Sequence, residues 1–332
     1  MSAKIIDGKA VAAERTRQIA EEAKALANAG RPVQLVAVQV GEDPASKLYT
    51  DMQARQCEEA NIRYELRCLP EDIRQQDIEA EIGKLNVDPA VSGLILQMPL
   101  PAHLDTPAVQ LAISPNKDVE GIHPVNLGRL LAGGHVAPCT PLAAVELLRR
   151  ACPELGGKEL VIVGRSDIVG KPLAIMLLHK SLGSPTVTVC HSRTADLAYH
   201  TRRAEVLIAA TGYSQMCWQS YRRRSKEDAS AELPKLHTQA GGEQVLAPLI
   251  TAEMLGEGQI IIDVATNRVP KAFEDGKPVL NDKGKTAMRT MGDVDPDAAA
   301  EKAAAVTPVP GGVGPVTVAM LLKNTLACAK NA

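Results

Sequence analysis

Apolar residues recur at helical spacing over residues 9–29 (KAVAAERTRQIAEEAKALANA) and stop at Gly30, which predicts a helix ended by a glycine. VQLVAVQV at 33–40 is apolar throughout, the pattern of a buried strand. GEDPAS then turns the chain into a second helix, expected from about Ser46 to Ala60. GLILQMPLP (93–101) predicts another strand, ended by Pro99 and Pro101. TPAVQLAI (106–113) predicts a short helix. Strand and helix alternate, which implies a parallel sheet. A loop rich in Gly, Pro and His covers 114–139, and TPLAAVELLRRA (140–151) begins a helix with Thr140 as N-cap and Pro141 as first residue. The joint between two domains is expected around this helix.

The second half opens with ELVIVGRSDIVGKP (159–172), an apolar strand that runs into a glycine turn and the helix LAIMLLHKSL. TVTVC (186–190), a polar helix, VLIAA (206–210) and QIIIDV (259–264) follow, giving a doubly wound, Rossmann-type pattern. Residues 213–245, with YRRRSKEDASAE, show no period and are expected to be an insertion running over the surface, the basic triplet Arg222–Arg224 facing solvent. The polar segment 270–285 reads as a hairpin or loop. The C-terminus, TPVPGGVGPVTVAMLLKNTLACA, predicts a Pro/Gly loop and a long apolar helix from near Pro315.

A length of 332 residues suits two domains, so the expected fold class is α/β, with an N-terminal α/β domain and a Rossmann domain. Only 2% of residues are aromatic, so Ala, Val, Ile and Leu must build the cores. A net charge of −2 offers no basic footprint for nucleic acid or an acidic membrane. No apolar run reaches the ~18 residues of a membrane span, and MSAKIIDGKA lacks the apolar stretch of a signal peptide. The seven cysteines form no C-x-x-C pair, which predicts reduced thiols in a cytoplasmic protein rather than a disulfide frame or metal site.

The chemistry is concentrated in VIVGRSDIVGKP. Gly164 ends a strand and Gly170 stands where a helix begins, so backbone N–H groups can approach a pyrophosphate at a helix N-terminus. The spelling is G-x-S-x-x-x-G, which also fits a plain glycine turn in an α/β domain. Ser166 is no nucleophile elbow, because Ile168 stands where G-x-S-x-G needs glycine. GEDPASKL is no phosphate loop, because Ser46 and Leu48 replace the required glycine and hydroxyl. After the second Rossmann strand the chain has Cys190-His191-Ser192-Arg193 where an NAD enzyme carries an acidic residue. Arg165, Ser192 and Arg193 can hold a 2′-phosphate by charge-assisted bonds, which favours NADP and leaves NAD open.

DPASKLYT, GLILQMPLP, PNKDVEGIHPVNLGRL, PCTP, VGRSDIVGKP, CHSRT and TPVPGGVGPVTVAML together resemble the methylenetetrahydrofolate dehydrogenase/methenyltetrahydrofolate cyclohydrolase family, over nearly the whole chain apart from the two polar segments. The resemblance implies a homodimer through the Rossmann domain and a folate one-carbon substrate in a cleft between domains. It implies an N-terminal domain of residues 1–139 completed by 309–332, and a Rossmann domain of 140–308. It also implies roles for single residues. Tyr49 stacks on the aminobenzoate ring, Gln97 is an active-site glutamine, and Pro310, Gly311 and Gly312 line the folate site. Gly164, Arg165, Ser166 and Gly170 form the cofactor turn, and Thr266 makes a backbone contact on the nicotinamide side.

Three segments depart from the family's pattern. Gln53 stands four residues after the tyrosine, on the same helical face, where the family has a catalytic lysine. Lys47 lies on a different face. Glu120 replaces an aspartate suited to gripping the pterin amide and amine, and Ala265-Thr266 replaces glycine and isoleucine. Hydride transfer needs alignment of two rings and no proton donor. Hydrolysis of a methenyl bridge needs an activated water and proton transfers, which a glutamine amide cannot supply. The expectation is a dehydrogenase with weak or absent cyclohydrolase. The alternatives are a fully bifunctional enzyme, a folate- or nucleotide-binding paralogue without turnover, and an amino-acid or hydroxy-acid dehydrogenase using His123 or His191.

Overall fold

The computed structural model describes residues 2–41, 44–134, 136–227, 232–239 and 242–331, with backbone alone for 44–49, 226 and 227. In chain order the first elements are β1 (Lys4–Ile5), α1 (Gly8–Asn28), β2 (Gln34–Val40), α2 (Pro44–Glu59), β3 (Arg63–Leu69), α3 (Gln75–Val87), β4 (Gly93–Leu96), α4 (Thr106–Ala112), α5 (Pro124–Leu131) and α6 (Cys139–Ala151). Then come β5 (Glu159–Val163), α7 (Gly170–Leu177), β6 (Thr186–Cys190), α8 (Leu197–Arg203), β7 (Val206–Ala209), α9 (Tyr213–Glu227), β8 (Leu236–Thr238) and β9 (Gln244–Leu246). The last are β10 (Ile260–Asp263), β11 (Asn267–Pro270), β12 (Phe273–Glu274), β13 (Lys277–Pro278), β14 (Met288–Met291), α10 (Pro296–Lys302), β15 (Ala305–Val306) and α11 (Val313–Asn331). The chain divides into two compact units, Ala10–Leu142 with Thr317–Ala332, and Met1–Lys9 with Ala143–Val316.

In the N-terminal unit three parallel strands run in the order β3-β2-β4. Side chains alternate across a strand, so β2 feeds two cores. Val36 and Val38 pack with Ile78, Ile82 and Leu85 of α3, while Leu35 packs with Ile19 and Ala23 of α1 and Leu322 and Leu326 of α11. Cover on both faces is why β2 reads as one apolar run. Asn324 pins α11 by donating to the carbonyls of Val119 (2.8 Å) and Ala137 (2.9 Å).

The second unit holds a six-stranded parallel sheet in the order β1-β15-β10-β7-β5-β6. The chain passes from β5 to β6 and returns to β7 on the other side of β5. The order therefore reverses at the carboxyl ends of β5 and β7, the place where doubly wound sheets bind ligands. β1 pairs with β15 (Lys4↔Ala305, Ile5↔Val306), so the first residues cover an edge of this sheet instead of joining the N-terminal domain, where the resemblance puts them. Two helix starts also differ. Leu142 N–H donates to the Pro138 carbonyl, which places Thr140 inside α6 rather than at its cap, and α11 begins at Val313.

The polar stretch after Tyr213 is not a structureless excursion over its described residues. It forms α9, β8 and β9, and β8 and β9 join β12 and β13 in an antiparallel sheet of order β13-β12-β9-β8. Trp218, Leu246, Val269, Phe273 and Met291 make a small core there. Trp218 stacks on Tyr221 (5.5 Å between centroids) and meets Phe273 edge-on (5.9 Å), so the chain's only Trp and only Phe touch. Two aromatics three residues apart anchor α9 without a full apolar stripe, which hid the helix from a periodicity reading. Arg222, Arg223 and Arg224 are exposed. No described helix is long and apolar enough to cross a membrane.

Candidate active site

In the N-terminal unit α2, β3 and the end of β4 meet at one polar cluster. Gln53 Oε1 accepts from the Tyr64 hydroxyl at 3.1 Å and from Gln97 Nε2 at 2.9 Å. The structure thus joins two sequence-predicted residues, Gln53 and Gln97, and adds Tyr64, which no local motif marks. Burial, with the negative charge potential of Cys57, Cys68 and Asp51 nearby, pushes the Tyr64 hydroxyl above its ordinary value, so it remains a neutral donor. A pocket of about 310 Å3 borders the cluster, lined by Met52, Gln53, Gln56, Gln97, Met98, Val318 and Leu321. Tyr49 lies on α2 one turn before Gln53. Its side chain, like that of Lys47, lies outside the described residues.

Glu120 follows a parallel bridge between Leu94 and Asp118, which sets it at the carboxyl edge of the sheet, as Gln97 is. Its carboxylate has no hydrogen-bond partner among the described residues. Burial first, then the charge of Asp118, raises its pKa from 4.5 to about 7. Asp118 itself is spent within its own turn. It accepts from the N–H of Gly121 (3.0 Å) and His123 (2.9 Å) and from Asn126 Nδ2 (2.9 Å), and so shapes the turn that presents Glu120. His123 Nδ1 accepts from Val125 N–H and caps α5, and His191 Nδ1 accepts from Arg193 N–H. Each Nδ1 is therefore held in a local turn.

In the second unit the glycine turn sits at the strand-order reversal. Gly164 has φ +132°, and a Cβ there would lie 2.4 Å from the Ala210 carbonyl oxygen. A Cβ on Gly170 would lie 2.2 Å from the Gly164 carbonyl oxygen. Only glycines allow this backbone, which leaves an open approach to the start of α7 of the kind a dinucleotide pyrophosphate needs. Ser166 Oγ accepts from the N–H of Val169 (3.2 Å) and Gly170 (3.4 Å), fixing the turn. Arg165, Ser192, Arg193 and Thr266 are exposed, the first three just beyond the carboxyl ends of β5 and β6.

Two buried aspartates shape the neighbouring strand ends. Asp293 accepts from the N–H of Thr211 (2.7 Å), Gly212 (3.1 Å) and Tyr213 (3.1 Å) and from Asn267 Nδ2 (3.1 Å), and so holds the turn after β7. Asp263 accepts from Ala265, Asp293 and Val294 N–H, and burial beside Asp293 raises its pKa from 3.8 to about 7. Asp263 closes the apolar run QIII, whereas Asp293 follows MRTMG and has no apolar run to mark it. The 310–312 loop belongs to this unit rather than to the N-terminal one. A Cβ on Gly8 would lie 1.7 Å from the Gly312 carbonyl oxygen, so the two backbones are in contact. Among the described residues no group of three His, Cys, Asp or Glu is placed to hold a metal ion.

Residues 6–120 match the family description "Tetrahydrofolate dehydrogenase/cyclohydrolase, catalytic domain", and residues 138–225 and 240–332 match its NAD(P)-binding domain. The chain belongs to the tetrahydrofolate dehydrogenase/cyclohydrolase family. A member from Geotalea uraniireducens, named "Bifunctional protein FolD", is 42% identical over 329 residues, 99% of each chain. The crystal structure of the bifunctional FolD of Campylobacter jejuni superposes with a TM-score of 0.79 at 35% identity over 99% of each chain. The FolD of Trypanosoma brucei, solved with NADP cofactor and an inhibitor, gives 0.77 at 33% identity over 100% of this chain and 98% of that one. The family match passes over residues 226–239, between the end of α9 and β9.

Proposed function

We propose that the protein oxidises 5,10-methylenetetrahydrofolate to 5,10-methenyltetrahydrofolate with NADP, and hydrolyses the methenyl product slowly or not at all. The observation that carries this reading is Gln53. Its amide oxygen is committed to two donors, and neither it nor Gln97 can take up or release a proton near neutrality.

A bound nicotinamide supplies the hydride acceptor. The methylene carbon of the substrate loses a hydride, and its bridge becomes a methenyl cation delocalised over the two flanking nitrogens. No proton moves, so the protein's task is alignment. Arg165, Ser192 and Arg193 are suited to the 2′-phosphate, and the Gly164–Gly170 turn to the pyrophosphate. Glu120, unpaired in the N-terminal unit, is suited to accept from the pterin amide and amine. Hydrolysis, in contrast, needs a base for the attacking water and an acid for the departing nitrogen.

A paired assay on one preparation tests this: NADPH formation from methylene-folate, and loss of methenyl absorbance from added methenyl-folate. NADPH formation with methenyl-folate accumulating supports the reading. Hydrolysis that keeps pace with oxidation overturns its second half. The relatives' bifunctional names favour full bifunctionality as the second reading, and that outcome would establish it.

A further inference from the structure

The second unit has a cavity of about 270 Å3 apart from the glycine turn. Arg289 of β14 lines it, and so does its partner Gln239, which follows β8 in the other antiparallel sheet. Arg289 Nη1 donates to Gln239 Oε1 at 2.9 Å, and Nη2 lies 3.8 Å from Met291 Sδ. Arg289 Nε is buried with no hydrogen-bond partner. The guanidinium forms no ion pair among the described residues. It stays protonated at any working pH, so a half-buried cation faces this cavity with one amide and one thioether in bonding reach, while the Glu243 carboxylate acts on it only through space. Such a charge is costly unless an anion meets it.

Asp263 also lines the cavity, but its oxygens are occupied by the N–H groups of Ala265, Asp293 and Val294. Thr307 Oγ1 is likewise taken up by the Asp263 backbone. Ile5, Met291, Val294 and Val306 contribute apolar wall. We infer that this cavity binds a small organic anion, with its oxyanion head on Arg289 and its apolar body against those four residues.

The test uses the full chain with NADP and folic acid both saturating, so that neither candidate half-site competes. Benzoate is titrated calorimetrically, with inorganic phosphate as the charge-only probe and benzyl alcohol as the apolar-only probe. Benzoate is expected to bind saturably and more tightly than either. Charge-assisted bonds of this kind set the scale for losing them: binding should weaken by roughly tenfold or more in Arg289→Gln. Gln239→Glu places a carboxylate beside Nη1. It should raise the Tm of the unliganded protein and abolish the benzoate response, and it decides the matter if Arg289→Gln fails to fold. Absence of benzoate binding to the wild type, unchanged affinity in a folded variant, or phosphate or benzyl alcohol binding as tightly as benzoate would overturn the inference.

Discussion

Replacing Gln53 with lysine should give the polar cluster a side chain able to move protons. In the native cluster Gln53 Oε1 is the acceptor for Tyr64 OH at 3.1 Å and Gln97 Nε2 at 2.9 Å. A lysine ammonium reverses the polarity: it needs acceptors. The Tyr64 oxygen can accept after a hydroxyl rotation, and the Gln97 amide can offer Oε1 after a flip, with no backbone movement. Two net hydrogen bonds are thus exchanged for two others, and the stability change should stay within about 1 kcal/mol. Partial burial lowers the amine's pKa toward the working range. General acid–base help is worth ~10²–10⁴-fold, or about 3–5 kcal/mol of barrier. Gln53→Lys should therefore speed methenyl-folate hydrolysis by roughly that factor while changing NADP reduction less than about tenfold. The assay follows methenyl absorbance after mixing with stoichiometric enzyme, with NADPH formation measured in parallel. A folded variant that oxidises normally and hydrolyses no faster would refute the reasoning, because alignment would then be intact and proton transfer not limiting.

Three further outcomes are expected. Because the Glu120 pKa is raised from 4.5 to about 7, the ionised group opposes folding. The penalty is absent below the lower value and grows as pH rises through the interval. Glu120→Gln should stabilise the protein near pH 8, by at most about 3 kcal/mol, and not below pH ~4.5; a Tm series against pH checks this, and equal gains at both ends would contradict it. Arg193→Ala should lower the NADP-to-NAD ratio of kcat/KM by about 10–100-fold, the worth of a charge-assisted phosphate contact; an unchanged ratio would place the 2′-phosphate elsewhere. Trp218 is 6% exposed and is the only tryptophan, so native emission should be blue-shifted, and Trp218→Ala should cost about 3–5 kcal/mol of thermal stability; emission typical of a solvated indole would deny the small core.

The elements read most easily from sequence are those covered on both faces. β2 and β5 are continuous apolar runs because helices lie on each side, and α1 shows its stripe because one face is buried and the other wet. β3 (RYELRCL) was not legible: it edges the N-terminal sheet with half-exposed charged side chains, and its Arg67–Glu81 pair replaces the apolar signal. α9 was hidden for a related reason, since a local aromatic pair rather than a stripe holds it. The same distinction runs through the candidate site. Gly164, Gly170 and the strings around Gln97 and Glu120 are written locally. Asp293 and Tyr64 act across the fold, one on a turn some 80 residues away and the other from a strand onto a helix, so no spacing rule announces them. Tyr64 matters most for interpreting Gln53. A tyrosine hydroxyl and a glutamine amide donate to the Gln53 oxygen here, and both could turn to accept from a lysine. The cluster is thus completed by a neutral group that cannot move a proton, which is the physical reason to expect hydride transfer, which moves none, to depend on this position far less than hydrolysis does.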